Sequence, residues 1–252
     1  VTTWGEAAGV NVLELFAGIG GMSLGLERAG MKVVGQVEID PFCRAVLARH
    51  WPEVPRHDDV RSAIDWWRSQ PRPRVDVVAG GYPCQPDSLA GKRRGITDER
   101  WLWPEMARVI HAVRPRYVIG ENVMGHRTGG LRFVLRDLER LGYAARAGVA
   151  GAGEMGAPHR RQRIFILADA GSQRCGAGRG GAGVDGSTPA GKQGGAWAEP
   201  VRRDWWAHEP SVGRVAYGFP GRMDRIRALG NAVVPQVAQY VGELLLGGVW
   251  RE

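Results

Sequence analysis

The residues best equipped for chemistry lie in Gly80-Gly81-Tyr82-Pro83-Cys84-Gln85-Pro86-Asp87-Ser88. Cys84 stands between a proline and a glutamine, just after an apolar run from Val75 to Ala79 that reads as a buried parallel strand. Open α/β folds place their chemistry at such strand ends. A cysteine there acts as a nucleophile if its thiolate is stabilised, although a lone cysteine can equally be a small apolar filler. Glu121 follows a second run, Tyr117 to Gly120, so two consecutive parallel strands would deliver a cysteine and a glutamate to one edge. A buried glutamate at a strand end is uncommon without a task. Arg160, Arg161 and Arg163 precede a further strand, Ile164 to Ala168. Alternating arginines can protect a sheet edge, but three in four positions favour binding of an anion or a base. Lys92, Arg93 and Arg94 form a glycine-bounded basic loop. Such a loop can be a solvated turn; beside a nucleophile, phosphate contact is favoured.

These groups need a scaffold, and the chain supplies one in order. Val10 to Phe16 is an apolar run of strand length, followed by the turn Ala17-Gly18-Ile19-Gly20-Gly21 and helical spacing from Met22 to Ala29. Strand, glycine turn and helix open a nucleotide-binding βαβ unit. The second strand, Met31 to Val37, ends in Glu38-Ile39-Asp40. A carboxylate at that tip is where ribose hydroxyls are held in this architecture; alternatively both acids are a solvated strand end. Asp40 is expected to cap the helix that starts at Pro41 and runs to His50. The turn is short and does not read G-x-G-x-x-G, which disfavours a dinucleotide pyrophosphate. S-adenosylmethionine fits better, with its carboxylate against the helix N-terminus. Helical stretches follow at Ser62–Ser69, Pro104–Val113 and Leu131–Leu141, and the last helix, Gln236 to Leu246, is opened by Gly230-Asn231-Ala232-Val233-Val234-Pro235. The expected class is α/β, a mostly parallel doubly wound sheet of Rossmann-like type.

Bulk composition narrows the partners. The 252 residues suffice for one good core with a small appendage. A formal charge of +8 favours a polyanionic partner, nucleic acid ahead of a membrane surface. No apolar run approaches the roughly 20 residues that span a bilayer. Three distant cysteines suit a reducing cytoplasm and give neither a disulfide framework nor a zinc spacing. Between Gly171 and about Pro200 the chain is nearly all small and polar, which reads as a flexible linker. The expected division is therefore a catalytic and cofactor-binding unit at 10–170 and the linker at 171–200. A short ordered stretch follows at 201–228, and a last helix at 229–250.

Taken together, the blocks resemble the DNA (cytosine-5) methyltransferases, in that family's order and over nearly the whole chain. They are FAGIGG at Phe16–Gly21, E-x-D at Glu38–Asp40, PCQ at Pro83–Gln85, ENV at Glu121–Val123, the R-x-R pair Arg161 and Arg163, and GNAVVP at Gly230–Pro235. The resemblance implies S-adenosylmethionine as methyl donor and cytosine in DNA, expected to be double-stranded, as substrate. Cys84 would add to C6 of the base, Glu121 would hold N3 and the exocyclic amine, and Arg163 would hold O2, with Arg161 in support. The cofactor pocket would comprise Phe16, Gly18, Gly20, Glu38 at the ribose, Ile39 over the adenine, Asp59 at its amino group, Pro83, Leu102, Asn231 and Val233. Gln85 and Ser88 match positions that attend the opened duplex; Arg202, Arg203, Arg222, Arg225 and Arg227 are expected phosphate contacts. The same resemblance implies that 201–228 is a reduced recognition region and that the helix at 229–250 returns to the catalytic unit.

The chain departs from the family pattern at three places. Asp87 replaces the usual Phe three residues from the nucleophile and could raise the thiol pKa by like-charge repulsion. His159 stands where Gln is common. The space between Ala168 and Gly230, where the family has a substantial recognition domain, is mostly glycine-rich here. Three alternatives remain open from sequence: an RNA-acting relative, a catalytically silent DNA-binding homologue, and a nicotinamide oxidoreductase that would leave Cys84, Glu121 and Asn231 without a role.

Overall fold

The computed structural model describes residues 9–83, 101–171, 222–248 and 250. Within them the apolar runs pair into a single sheet: β1 (Asn11–Leu15), β2 (Lys32–Val37), β3 (Arg56–His57), β4 (Val77–Gly80), β5 (Tyr117–Val123), β6 (Ala144–Gly151) and β7 (Gln162–Asp169). The spatial order is β3-β2-β1-β4-β5-β7-β6. Strands β1 to β5 pair in parallel, and β7 runs antiparallel to both β5 and β6. The helices are α1 (Gly21–Arg28), α2 (Pro41–His50), α3 (Ala63–Arg68), α4 (Trp103–Val113), α5 (His126–Gly129), α6 (Leu131–Arg140), α7 (Arg222–Asn231) and α8 (Pro235–Gly247).

Alternation along the strands sends apolar residues to both faces, as a sheet covered on two sides requires. Leu13, Leu15, Val78 and Val118 face α3, α4 and α6 through Ile64, Met106, Ile110 and Val134. Val12, Val33, Val77 and Ile119 face α1 and α8 through Met22, Leu26, Val237 and Val241. The mostly parallel, doubly wound Rossmann-like sheet expected from the sequence is the one observed. No helix among the described residues is long and apolar enough to cross a membrane.

Three local features differ from the reading of the sequence. The stretch after α6 is a full strand, β6, because β7 offers it an antiparallel partner along its whole length. Glu121 to Val123 lie inside β5, where the same β7 extends the ladder to the pair Val123 and Arg163. Gly230 and Asn231 end a helix, α7, which is continuous through residue 228, and α8 begins at Pro235.

Helix α8 returns to the first βα unit through glycine contacts. A Cβ on Gly21 would stand 2.1 Å from the Val233 carbonyl oxygen, and one on Gly25 2.4 Å from that of Pro235. Both obstacles are backbone and cannot rotate away. Gly25→Val is therefore expected to lose about 3 kcal/mol or more by overpacking, read as a lowered midpoint in thermal unfolding. A melting temperature equal to wild type would show that α1 and α8 do not meet this closely.

Under α1, the carboxyl of Glu14 on β1 receives the Ser23 hydroxyl, which in turn accepts from Gln36 Nε2 at 2.9 Å. Burial pushes the Glu14 pKa up to about 8, with the Ser23 hydrogen bond opposing, so the group is mainly a neutral acid at neutral pH.

Candidate functional site

The sheet order turns back between β1 and β4, and a cavity of about 400 Å³ opens at the carboxyl ends of β1, β2, β4 and β5. This is the crevice in which open α/β sheets bind ligands. Its walls bring together Phe16, Gly18, Glu38, Ile39, Asp59, Pro83, Leu102, Glu121, Arg163 and Asn231. Ten of the residues singled out from sequence thus meet in one place, from segments more than 200 positions apart.

One side of the cavity is built by the first two strands. Phe16 leaves β1 with φ of 57°, a left-handed conformation that is costly for a bulky residue. The Glu38 carboxylate accepts from the Gly18 N–H at 2.7 Å through Oε2 and from the Asp40 N–H at 2.7 Å through Oε1. Both oxygens are thereby fixed at the cavity wall, each with a lone pair to spare. Beside it Ile39 is 67% exposed, an apolar surface at the cavity wall. Asp59 accepts from the Arg61 N–H at 2.9 Å and so starts the short 3₁₀ turn Val60–Ser62. Asp40 caps α2 as expected, accepting from the Phe42 and Cys43 N–H groups. Gly20 and Val233 are not at the cavity. A Cβ on Gly20 would run into the Trp51 ring, and the Val233 carbonyl lies against Gly21; both shape the α1 end from behind.

The other side is built by β4, β5 and β7. Because Val123 is paired with Arg163 across the antiparallel ladder, Glu121 is the diagonal neighbour of Arg163 on the same face. Arg163 Nε lies 3.1 Å from Glu121 Oε1. Burial pushes the Glu121 pKa up to about 7, while Arg163 and, more weakly, Arg161 pull it down. Desolvation wins over the ion pair because Glu121 is only 9% exposed, as part of a nearly closed strand end. A carboxyl poised near neutrality beside a guanidinium can both donate and accept a proton at the edge of a planar heterocycle.

Arg161 takes a different part. Its Nη2 donates to the Gly230 carbonyl at 2.7 Å and to that of Ala232 at 2.6 Å, so it braces the α7–α8 turn. Arg227, expected at phosphate, instead lines the cavity and pairs with Asp40. Pro83 and Leu102 are joined by a Leu102 N–H to Pro83 carbonyl bond of 3.4 Å. Cys84, Gln85, Asp87, Ser88, Lys92, Arg93, Arg94, Arg202, Arg203 and the glycine-rich stretch lie outside the described residues.

Sequence reasoning passed over Asn122 and Tyr82. The Asn122 side chain donates to the Tyr82 carbonyl at 2.9 Å, tying the end of β5 to the chain leaving β4. The ENV block contained the signal for Asn122; nothing in sequence connected Tyr82 to a partner.

Comparison with known proteins agrees with this geometry. The type II methyltransferase M.DsaV of Dactylococcopsis salina is 34% identical over 167 residues, covering 64% of this chain and 46% of the relative. M.Eco47II of Escherichia coli is 40% identical over 163 residues, covering 62% and 39%. The chain thus spans less than half the length of these curated relatives. A DNA modification methyltransferase encoded within an E. coli prophage superposes with a TM-score of 0.54 at 29% identity, over 64% of this chain and 46% of its own. The Dnmt2 methyltransferase of S. pombe shares the fold over 95% of this chain and 99% of its own, with a TM-score of 0.61 at 18% identity. Residues 10–175, which supply every strand of the sheet and the five carboxylates lining the cavity, match the family model of the C-5 cytosine-specific DNA methylases, and the chain belongs to that family.

Proposed function

We propose that this protein transfers a methyl group from S-adenosylmethionine to C5 of cytosine in DNA, with Cys84 as nucleophile and Glu121 as the acid that engages the base. The observation that carries this reading is the buried Glu121 carboxyl, poised near neutral pH beside the half-buried Arg163 and one strand away from the segment leading to Cys84.

The family depends on S-adenosylmethionine, and the cavity fits that group. Glu38 presents two fixed carboxylate oxygens of the kind that accept from ribose hydroxyls. The exposed Ile39 offers an apolar surface for the adenine, Asp59 stands at the same wall, and the left-handed Phe16 is strained where a ligand would meet it. When bound, the cofactor supplies an electrophilic methyl group on sulfur. Everything else falls to the protein. The Cys84 thiolate forms a bond to C6, which moves electron density to C5 and N3. Glu121 donates its proton at N3 and accepts from the exocyclic amine, so charge does not accumulate on the ring. Arg163 orients both the carboxyl and the base O2. After methylation, loss of the C5 proton and expulsion of the thiolate restore the aromatic ring. The base has to leave the duplex for any of this, and the +8 charge supports binding to the backbone. Gln85, Ser88, Lys92, Arg93 and Arg94 are assigned to the opened strand, and Arg202 and Arg203 to phosphate. A duplex substrate in a prokaryotic cytoplasm is the setting that fits these features. Between Ala168 and α7 little of the sequence is apolar, so target readout is expected to be short or shared with a partner.

Incubation with methyl-labelled S-adenosylmethionine and mixed-sequence duplex DNA tests this reading. Label recovered as 5-methylcytosine supports it; label absent despite cofactor binding sinks it. The cofactor half is tested separately. Glu38→Gln leaves one acceptor oxygen for two backbone N–H groups and removes the charge that strengthens both bonds. Affinity for S-adenosylhomocysteine should fall by about 10- to 100-fold, the worth of a hydrogen bond to a charged group, in calorimetric titration. An unchanged affinity would move the ribose elsewhere.

A further inference from the structure

Tyr82 and Trp101 flank residues 84–100, and His126 opens α5 five positions after Glu121. All three are buried together. The Tyr82 hydroxyl lies 2.8 Å from His126 Nε2. The His126 ring is 5.5 Å from those of both Tyr82 and Trp101, and Tyr82 meets Trp101 edge to face at 6.1 Å. Gly130 makes the room, since a Cβ there would stand 2.2 Å from His126 Cε1 and 2.4 Å from the Trp101 ring. The backbone above this cluster is held as well, by Asn122 Nδ2 on the Tyr82 carbonyl and by the Leu102 N–H on that of Pro83.

A phenylalanine and a leucine would fill the same volume without desolvating two polar groups. A buried hydroxyl and imidazole that bond to each other offset part of that cost, and what such a bond adds over apolar packing is orientation. Here it orients the residue two positions before Cys84 relative to the helix that follows the Glu121 strand. We propose that Tyr82 and His126 are positioning residues for methyl transfer: their buried hydrogen bond sets the Tyr82–Pro83 backbone against the Glu121 carboxyl, and Trp101 fixes the return. This rests on the roles given above to Cys84 and Glu121.

Three variants test it: Tyr82→Phe, which keeps the ring; His126→Gln, whose amide nitrogen reaches about as far as Nε2; and His126→Leu, which keeps only volume. The full chain is assayed for the rate of covalent complex formation on 5-fluorocytosine DNA, affinity for S-adenosylhomocysteine, and tryptic cleavage after Lys92, Arg93 or Arg94 well below the melting temperature. Tyr82→Phe and His126→Leu should slow trapping by about 10- to 100-fold, the penalty of a small misplacement of reacting groups, with cofactor affinity unchanged. His126→Gln should recover most of the rate. Cleavage should accelerate several-fold in Tyr82→Phe and His126→Leu and not in His126→Gln. Variants that melt lower yet trap at the wild-type rate per folded molecule, with unaltered cleavage, overturn the proposal. If wild-type protein itself does not trap while cleavage still responds to the variants, the assigned chemistry fails and the positioning of the backbone stands. Since Tyr82→Phe alters one buried atom, it keeps the test decisive even if His126→Leu does not fold.

Discussion

Cys84→Ser should lower methyl transfer by about 10⁴-fold or more, the scale seen when a covalent nucleophile is removed, while leaving S-adenosylhomocysteine affinity at the wild-type value. Cytosine C5 is too electron-poor to take a methyl group unaided, so the reaction depends on adding a nucleophile at C6. A serine hydroxyl is far less acidic than a thiol and supplies almost no anion at neutral pH. Among the described residues the Glu38 wall is organised by the Gly18 and Asp40 backbone groups, which the substitution leaves unchanged. Loss of turnover with retained binding is therefore the signature. Trapping on 5-fluorocytosine DNA should vanish in the same variant, since the proposed trapped species is the Cys84 adduct. A serine variant within tenfold of wild type would place the nucleophile elsewhere and remove the basis for the covalent route. Asp87→Phe is the companion measurement: if the carboxylate raises the Cys84 thiol pKa, its removal should shift the rising limb of the pH–rate profile to lower pH.

Much of this site was legible because it is encoded by short segments at strand ends. A strand followed by Ala-Gly-Ile-Gly-Gly and a helix leaves few alternatives to a βα nucleotide unit, and Glu38 and Asp40 fell where a second strand must end. Parallel strands β4 and β5 could be ranked as neighbours because sequential elements usually are. What escaped was pairing across long separations. The antiparallel entry of β7 decides that Arg163 meets Glu121, yet its own residues carry no mark of direction. Arg161 and Arg163 look alike in sequence; the ladder register sends one to a carboxylate, and Arg161, with φ of 31°, turns to the carbonyls of Gly230 and Ala232. Glu14 shows the opposite limit. Nothing in its own apolar run marks it as buried, and Ser23 and Gln36, supplied by a helix and a neighbouring strand, make its burial tolerable. Gly20 and Val233 illustrate a third case: they belong to the right blocks but act through packing behind the cavity wall.

Glu121→Gln should be the second most damaging change, about 10²- to 10⁴-fold in turnover, the range of general acid–base catalysis. The amide can still pair with the base edge, but it cannot give up a proton as the ring accepts the thiolate. On the proposed mechanism the same group sets the alkaline limb of the wild-type profile. With its pKa pushed by burial to about 7, Glu121 loses its proton above neutrality, and kcat/KM of the free enzyme should fall by about tenfold per pH unit there. The glutamine variant, already slow, should show no such limb. A stability difference follows with a definite sign. The folded pKa lies above the ordinary 4.5, so the contribution of Glu121 to folding is fullest below pH 4.5 and is lost as pH rises through about 7. The melting temperature of Glu121→Gln relative to wild type should therefore be more favourable above pH 7 than below pH 4.5, even though the variant forfeits the Arg163 ion pair above pH 7. A relative stability that moves the other way would mean the carboxyl is ionised in the folded protein throughout. Glu121 would then grip the base as an anion, and the proton at N3 would have to come from water.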